Sequence, residues 1–481
     1  MNSFSNEPVL RFFEEISRIP RGSGNEKVIS DYMVNFAKVR NLEVIQDKAM
    51  NVIIKKPGTK GYENAPIVIL QGHLDMVCDK NKETVHDFEK DPIELRVEGD
   101  MLYAKNTTLG ADNGIALAYA MEILDSDKIP HPPIEVLFTT NEETGVDGAS
   151  TLDPHSLKGK YLINIDSEEE GRILVSCAGG MTVIQSLPAE WENADESLLP
   201  YIISIRGLKG GHSGAEIHLG RGNSNKLMGR LLQDISRSIE YSLAEINGGL
   251  KVNAIPREAD AVIMINPKGQ GKLTDKIDEW NKIFKNELRA SDSGINITAK
   301  IMDVKVERVF SKDITKKVTA SLVLIPEGVQ TMSMEIEGLV ESSTNPGVVK
   351  TTDTMIVIES AVRSSVRTLK HYIMNQCKTL AEYTGAEFIV YTDYPEWEYN
   401  PESNLRKIFE KVYEEKYGNK PEVVALHAGL ECGIFKEKMP DLDMISFGPN
   451  LYDAHTPNEH MSISSSKRTW EYLLDVLKEI K

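Results

Sequence analysis

Cysteine is scarce in this chain. Four residues in 481 (Cys78, Cys177, Cys377 and Cys432) lie far apart and form no CxxC pair. A dense disulfide framework is therefore excluded, and the thiols read as reduced and intracellular. Long apolar runs are missing too: no stretch approaches the ~20 residues that a membrane-spanning helix needs. The opening MNSFSNEPVLRFFEEISRIP lacks the basic and apolar regions of a signal peptide. Positive charge is in the minority, with 55 Lys and Arg against 73 Asp and Glu and a formal net charge of −18. Such a chain does not offer the basic face that nucleic acid or an anionic membrane demands. Internal repeats and low-complexity tracts are also absent. The expectation is a soluble cytoplasmic protein with neither of those partners.

What is present is enough chain for two cores, since single cores usually stop growing well below 481 residues. Val9, Phe12, Phe13 and Ile16 fall at helical spacing, and Ile29, Met33 and Phe36 repeat the pattern. Short apolar runs bounded by Gly, Asn or Pro follow at Val52–Ile54, Ile67–Leu70, Ile134–Thr139 and Tyr161–Ile165, with a helical run at Ile115–Leu124. Alternation of this kind predicts an α/β sheet covered on both faces. From about Met181 the character changes: strands are predicted at Ile202–Ile205 and Ala261–Ile265, and helices at Lys226–Glu240 and Lys272–Leu288. The aromatic stretch YTDYPEWEYNP reads as a crossing between domains. After it come a helix around Leu405–Tyr417, strands at Val423–Leu426 and Met444–Phe447, and a helix at Ser466–Ile480. The predicted fold is an α/β catalytic domain with a mixed sheet flanked by helices, interrupted by an inserted α+β domain. The expected boundaries are 1–182 and 395–481 for the first domain and 183–394 for the insertion.

Acidic residues and histidines gather where these strands end. Gln71-Gly72-His73-Leu74-Asp75 follows one strand, Asn141-Glu142-Glu143-Thr144-Gly145 another, and Asp166 a third. Asp112 stands at the head of the Ile115–Leu124 helix, and His455 lies just past Met444–Phe447. Ligands bind outside the carboxyl ends of strands in open α/β sheets, so these groups are placed to converge. Imidazoles with carboxylates suit zinc or manganese better than calcium. Asp112, Glu143 and Asp166 bring three negative charges, which two divalent cations and one bridging hydroxide neutralise. In an extended segment Glu142 and Glu143 would point in opposite directions, so one can bind metal while the other faces the water as general base. Asp75, two residues after His73, would point the same way and hold the imidazole tautomer.

Singly, each motif has a bland reading: a solvated turn for Glu142-Glu143, a solvated face for the acidic run after Asp166, a flexible glycine loop around His212, an exposed charge for Arg363. Jointly they do not. QGHLDMV, LGADNGIA, TTNEETGVDGA, INIDSEEEG, GGHSG, NAIPREA, HAGLECG and AHTPNE occur in that order between about residues 71 and 460. Together they resemble the aminoacyl-histidine dipeptidase group (peptidase D, cytosol non-specific dipeptidase). That group belongs to the co-catalytic zinc peptidases, which also include peptidase T, aminoacylases and carboxypeptidase G. The resemblance implies hydrolysis of unblocked dipeptides, Xaa-His types included, by two divalent ions, Zn2+ first and Mn2+ or Co2+ as alternatives. It places His73, Asp112 and Asp166 on one ion and Asp112, Glu143 and His455 on the other. Glu142 becomes the general base, Asp75 the residue orienting His73, and the Asp112–Asn113 peptide is implied to be cis. The inserted domain becomes a lid through which family members commonly form homodimers. In that lid His212 would stabilise the oxyanion, and Arg363 and Asn253 would bind the substrate. Glu431 would meet the substrate's free amine. His427 and His460 are read as structural. The rival readings are an amidohydrolase acting on N-acyl amino acids, for which an amine contact at Glu431 has no purpose, and a non-catalytic metal-binding relative, against which every expected position is filled.

Overall fold

The computed structural model describes residues 7–481. The first six, part of the opening in which no signal peptide is expected, lie outside the described residues. The chain forms two compact units. One comprises the described residues up to Ser176, Tyr399–Ala425 and Leu430–Lys481; the other comprises Cys177–Glu398 and Leu426–Gly429. The turns between units thus fall a few residues from the boundaries drawn on sequence, because the strand Gly179–Pro188 pairs along its whole length with Met355–Ser364 of the second unit. The brief return at 426–429 has no counterpart in the sequence reading.

The first unit is built on a mixed eight-stranded sheet. Its centre is four parallel strands in the order Ile134–Thr139, Val68–His73, Tyr161–Asn164 and Asp443–Ser446. All three N-terminal members are buried at every position, the pattern of strands covered on both faces. Antiparallel strands Val52–Lys56 and Glu43–Gln46 extend one side. The helix Pro8–Ile16 buries Val9, Leu10, Phe12, Phe13 and Ile16, so the spacing seen in sequence is its core-facing stripe. Helix Ala111–Asp125 is apolar nearly all round and buried along its length. Because the central strands are parallel, their carboxyl ends share one edge, and every loop that carries a candidate ligand leaves from it or returns to it.

The second unit has a nine-stranded antiparallel sheet running from Asn296–Ile301 at one edge to Glu387–Tyr394 at the other. Leu199–Arg206 alternates buried and half-buried residues, the signature of a sheet with one covered face. Ile203, Ile205, Ile263 and Ile358 from the sheet share one core with Leu231 and Leu232, Leu273 and Phe284, Val318 and Leu322, and Ile373, contributed by four helices. The unit is therefore α+β, and the fold as a whole is the predicted one. One predicted helix is shorter than its pattern: Ser224–Ile235 stops five residues before Glu240, and the strand Tyr241–Gly248 follows. Ile239 keeps helical spacing from Ile235, yet Ser236 and Ser238 favour local hydrogen bonds over helix continuation, and Ser236 Oγ donates to the Gln233 carbonyl.

Candidate metal centre and substrate groups

His73 is the last residue of its strand, and its ring lies almost fully buried, with 1% of the side chain exposed. The position is possible because residue 72 is glycine. A Cβ there would lie 2.4 Å from Asn113 Oδ1 and 2.6 Å from the Ala116 Cβ, so the helix bearing Asp112 could not approach. Asn113 uses that proximity: Oδ1 accepts from the His73 amide at 3.2 Å, and Nδ2 donates to the Ile165 carbonyl. The Asp112–Asn113 peptide is cis.

Five candidate ligands come together in the first unit. His73 Nε2 lies 3.0 Å from Asp112 Oδ1 and 3.4 Å from Asp166 Oδ1. His455 Nε2 lies 3.1 Å from Asp112 Oδ2 and 3.1 Å from Glu143 Oε2. The two oxygens of Asp112 thus face two different histidines. Asp75 Oδ1 stands 3.3 Å from His73 Nδ1, the nitrogen turned away from the cluster. The Asp75 carboxylate is itself held by Ser23 Oγ at 2.8 Å and by the Glu142 and Glu143 amides at 3.1 and 3.2 Å. Those amides are available because Glu142–Gly145 is a single helical turn entered through Asn141 at φ 54°. The extended conformation assumed for the two glutamates is therefore wrong. As neighbours on a turn of helix they leave the backbone about 100° apart.

The electrostatics follow from burying so many acids together. Burial, with Asp166, Glu431 and Glu143 around it and against the pull of His73, pushes Glu142 up to about 9. Burial likewise raises Asp166 to about 6, although His73 opposes it. Hydrogen bonds to Asp112 and Glu143 raise His455 to about 11. Asp75 moves the other way, to about 2, because contacts with His73, Ser23 and the Glu142 amide outweigh its burial. Without other cations the group can approach neutrality only by holding protons.

These residues fit a pair of divalent ions. His73, Asp112 and Glu143 each offer a ligand atom within 4.8 Å of the others. Glu143 Oε1 is buried with no hydrogen-bond partner among the described residues. The 3.0–3.4 Å separations between imidazole nitrogen and carboxylate oxygen match neighbouring vertices of a tetrahedron with bonds of ~2.0–2.1 Å.

Glu431 opens the helix Glu431–Lys438 and is 1% exposed. Its Oε2 accepts from Gln71 Nε2 at 2.7 Å and Thr139 Oγ1 at 2.9 Å, while Oε1 is buried without a partner. Burial and Asp166 lift it to about 7 against the pull of His73.

The remaining candidates belong to the second unit. His212 Nδ1 accepts from the Ala215 amide at 2.9 Å, which leaves the proton on Nε2 and makes that nitrogen a donor. Burial, then the Arg363 charge, lowers its pKa. Arg363 has no carboxylate partner among the described residues; its Nη1 donates to the Tyr394 hydroxyl at 2.7 Å. Arg363, Tyr394 and Asn253 line one cavity of about 510 Å3, and the Asn253 carbonyl accepts from the Ser213 amide. His427 is buried against Ser343, and His460 stacks between Tyr103 and Tyr452 at 4.7 and 4.9 Å.

Several residues escaped the sequence reading. Ser23 and Arg21 sit in a short glycine-flanked turn far from any motif. Arg21 Nη1 donates to the Leu74 and Asp75 carbonyls at 3.0 and 2.8 Å, and its Nη2 to that of Gly110. Gln71, Thr139 and Glu459 lay inside quoted motifs, but nothing in spacing marks them as partners of Glu431 or of the Asp112 loop.

The profile of Peptidase family M20/M25/M40 matches residues 69–479. The chain belongs to this family. It is 38% identical over 483 residues to the cytosol non-specific dipeptidase of Escherichia coli strain K12, covering 100% of this chain and 99% of the relative. The crystal structure of aminoacylhistidine dipeptidase from Vibrio alginolyticus superposes with a TM-score of 0.96 at 38% identity, covering 100% of this chain and 98% of that one. An aminopeptidase PepT from Bacillus cereus shares the M20-type fold at a TM-score of 0.56 and 16% identity, covering 98% of each chain.

Proposed function

We propose that this M20 peptidase hydrolyses unblocked dipeptides, Xaa-His among them, at a centre holding two divalent ions. That the chain is a metal-dependent dipeptidase follows from its family and its full-length relatives. The finer reading is supported above all by Asp112, whose two oxygens face His73 and His455 at 3.0 and 3.1 Å. His73, Asp112 and Asp166 would hold one ion; Asp112, Glu143 and His455 would hold the other, Zn2+ first with Mn2+ or Co2+ as alternatives. When bound, such a pair acidifies water toward pKa ~7 and polarises a carbonyl.

The rest is done by the chain's own residues. Glu142, beside the cluster, would take a proton from the attacking water and return it to the leaving amine. Asp75 fixes the His73 ring by facing Nδ1. Glu431 presents its unpartnered oxygen to the substrate's ammonium group. The Nε2 proton of His212 suits a developing oxyanion, and Arg363, with no acid beside it, suits the substrate carboxylate, with Asn253 lining the same cavity. Homodimerisation is supported by the exposed edge strand Glu387–Tyr394, which presents Ile389, Val390 and Tyr391. A cytoplasmic location is supported by the E. coli relative, a cytosol enzyme by name; no helix among the described residues is long and apolar enough to cross a membrane.

The test is hydrolysis of Gly-His by zinc- or manganese-reconstituted protein, beside its N-acetyl and C-amidated forms. Cleavage of the free dipeptide alone is expected. Preference for the N-acetyl form would move the assignment to an acylase, and no cleavage with metal bound would leave a binding protein.

A further inference from the structure

Glu459 is buried, with 3% exposure, four residues beyond His455. Its carboxylate does not point at the ligand cluster. It sits on the backbone that carries Asp112: Oε2 accepts from the Leu109 and Gly110 amides at 2.6 and 2.9 Å, and Oε1 from the Ala111 and Asp112 amides at 2.8 and 3.4 Å. Four consecutive amides can converge on one carboxylate because Gly110 takes φ 70°, turning the chain into an anion-binding nest at the start of helix Ala111–Asp125. A Cβ at Gly110 would lie 2.7 Å from both Arg21 Nη2 and Met76 Sδ. Arg21 donates to the Gly110 carbonyl and ties it to Leu74 and Asp75 beyond His73. The Asp112 loop is thus held both to the segment after His73 and to the segment after His455.

We propose that Glu459 is a positioning residue of the metal centre: its carboxylate clamps the Asp112 loop to the His455 segment and thereby sets how tightly the ion shared by Asp112 and His455 is held. The inference rests on the reading that these two residues share an ion. His455 has particular need of such a brace. It is half exposed, stands at φ 65°, and among the described residues no carboxylate pairs with its Nδ1 as Asp75 pairs with that of His73. Glutamine at 459 would keep the shape but set an NH2 group against two of the amides. Aspartate would keep the charge and both acceptors but fall about 1.5 Å short.

Metal-free protein is titrated with Zn2+ in competition with a chelating indicator, and the two dissociation constants are compared among wild type, Glu459→Gln, Glu459→Asp and His455→Ala. Loss of one equivalent in His455→Ala establishes the shared-ion reading independently of Glu459. With that reading intact, both Glu459 variants should weaken the second ion about 10–100-fold, the range seen when partners of metal ligands are removed. Unchanged constants, even with a lowered Tm, would reduce Glu459 to a structural role and overturn the inference. So would full affinity in Glu459→Asp, which would assign the effect to charge alone. Should neither variant fold, hydrogen exchange on the metal-free wild type decides. The amides of 109–112 should already be protected; free exchange there would overturn the clamp.

Discussion

The two histidines of the proposed metal centre are held in opposite ways. His73 ends a central strand, is 1% exposed, and has Asp75 behind it, itself fixed by Ser23 and two backbone amides. His455 stands on a loop in the left-handed region, with 52% of its side chain exposed, and is steadied only by what surrounds it. Both reach the same carboxylate, Asp112, at nearly equal distances. One half of the site is thus preorganised by the sheet and the other is attached from the surface. A buried, braced ligand loses less freedom on binding an ion, so the His73 ion should be the tighter and the His455 ion the exchangeable one.

The strongest way to break this comparison is to remove each histidine in turn. His73→Ala should lose the buried ion and lower the Tm of the metal-free chain, because Asp75 and Asp166 lose their partner inside the protein. His455→Ala should lose one equivalent and lower that Tm less, because its contacts with Asp112 and Glu143 are half exposed to solvent. Metal content after gel filtration and thermal unfolding would check both; equal losses in the two variants would end the distinction. Next in size, Glu142→Gln should cut kcat about 10²–10⁴-fold while both ions stay bound, read by steady-state kinetics beside metal analysis. Loss of an ion in that variant would make Glu142 a ligand. Asp75→Asn should weaken only the buried ion, about 10–100-fold, measured by chelator competition. Smallest of all, Ser23→Ala removes one hydrogen bond to Asp75 and should change the same constant by less than about tenfold.

The same contrast explains what could be read from the sequence. The central strands were legible because burial on both faces leaves continuous apolar runs, and the groups at their ends stood out by position. His73, Asp112, Glu143 and Asp166 leave strand ends or a helix start, so their convergence was foreseeable from topology. His455 was not marked by local pattern, since a histidine on a short irregular loop looks like any surface residue; the ordered motifs of the family carried it. The helical turn at Glu142–Gly145 has no counterpart in the sequence pattern, because one turn after a strand leaves no periodicity to detect. Glu459 and Arg21 act through backbone amides and carbonyls, and Ser23 through a carboxylate far along the chain, none of which has a sequence signature. The helix ending at Ile235 shows the reverse case, a helical spacing at Ile239 that core burial preserves after the helix has stopped.

In the two-ion dipeptidase proposed above, Asp112 links a tight site to a weak one. The most direct test of this is to strip the protein with chelator, restore Zn2+ in steps, and follow Gly-His hydrolysis against bound metal. The first equivalent should bind with little activity, and hydrolysis should rise as the second fills. Full activity at one equivalent per chain, or hydrolysis by the metal-free protein, would contradict it.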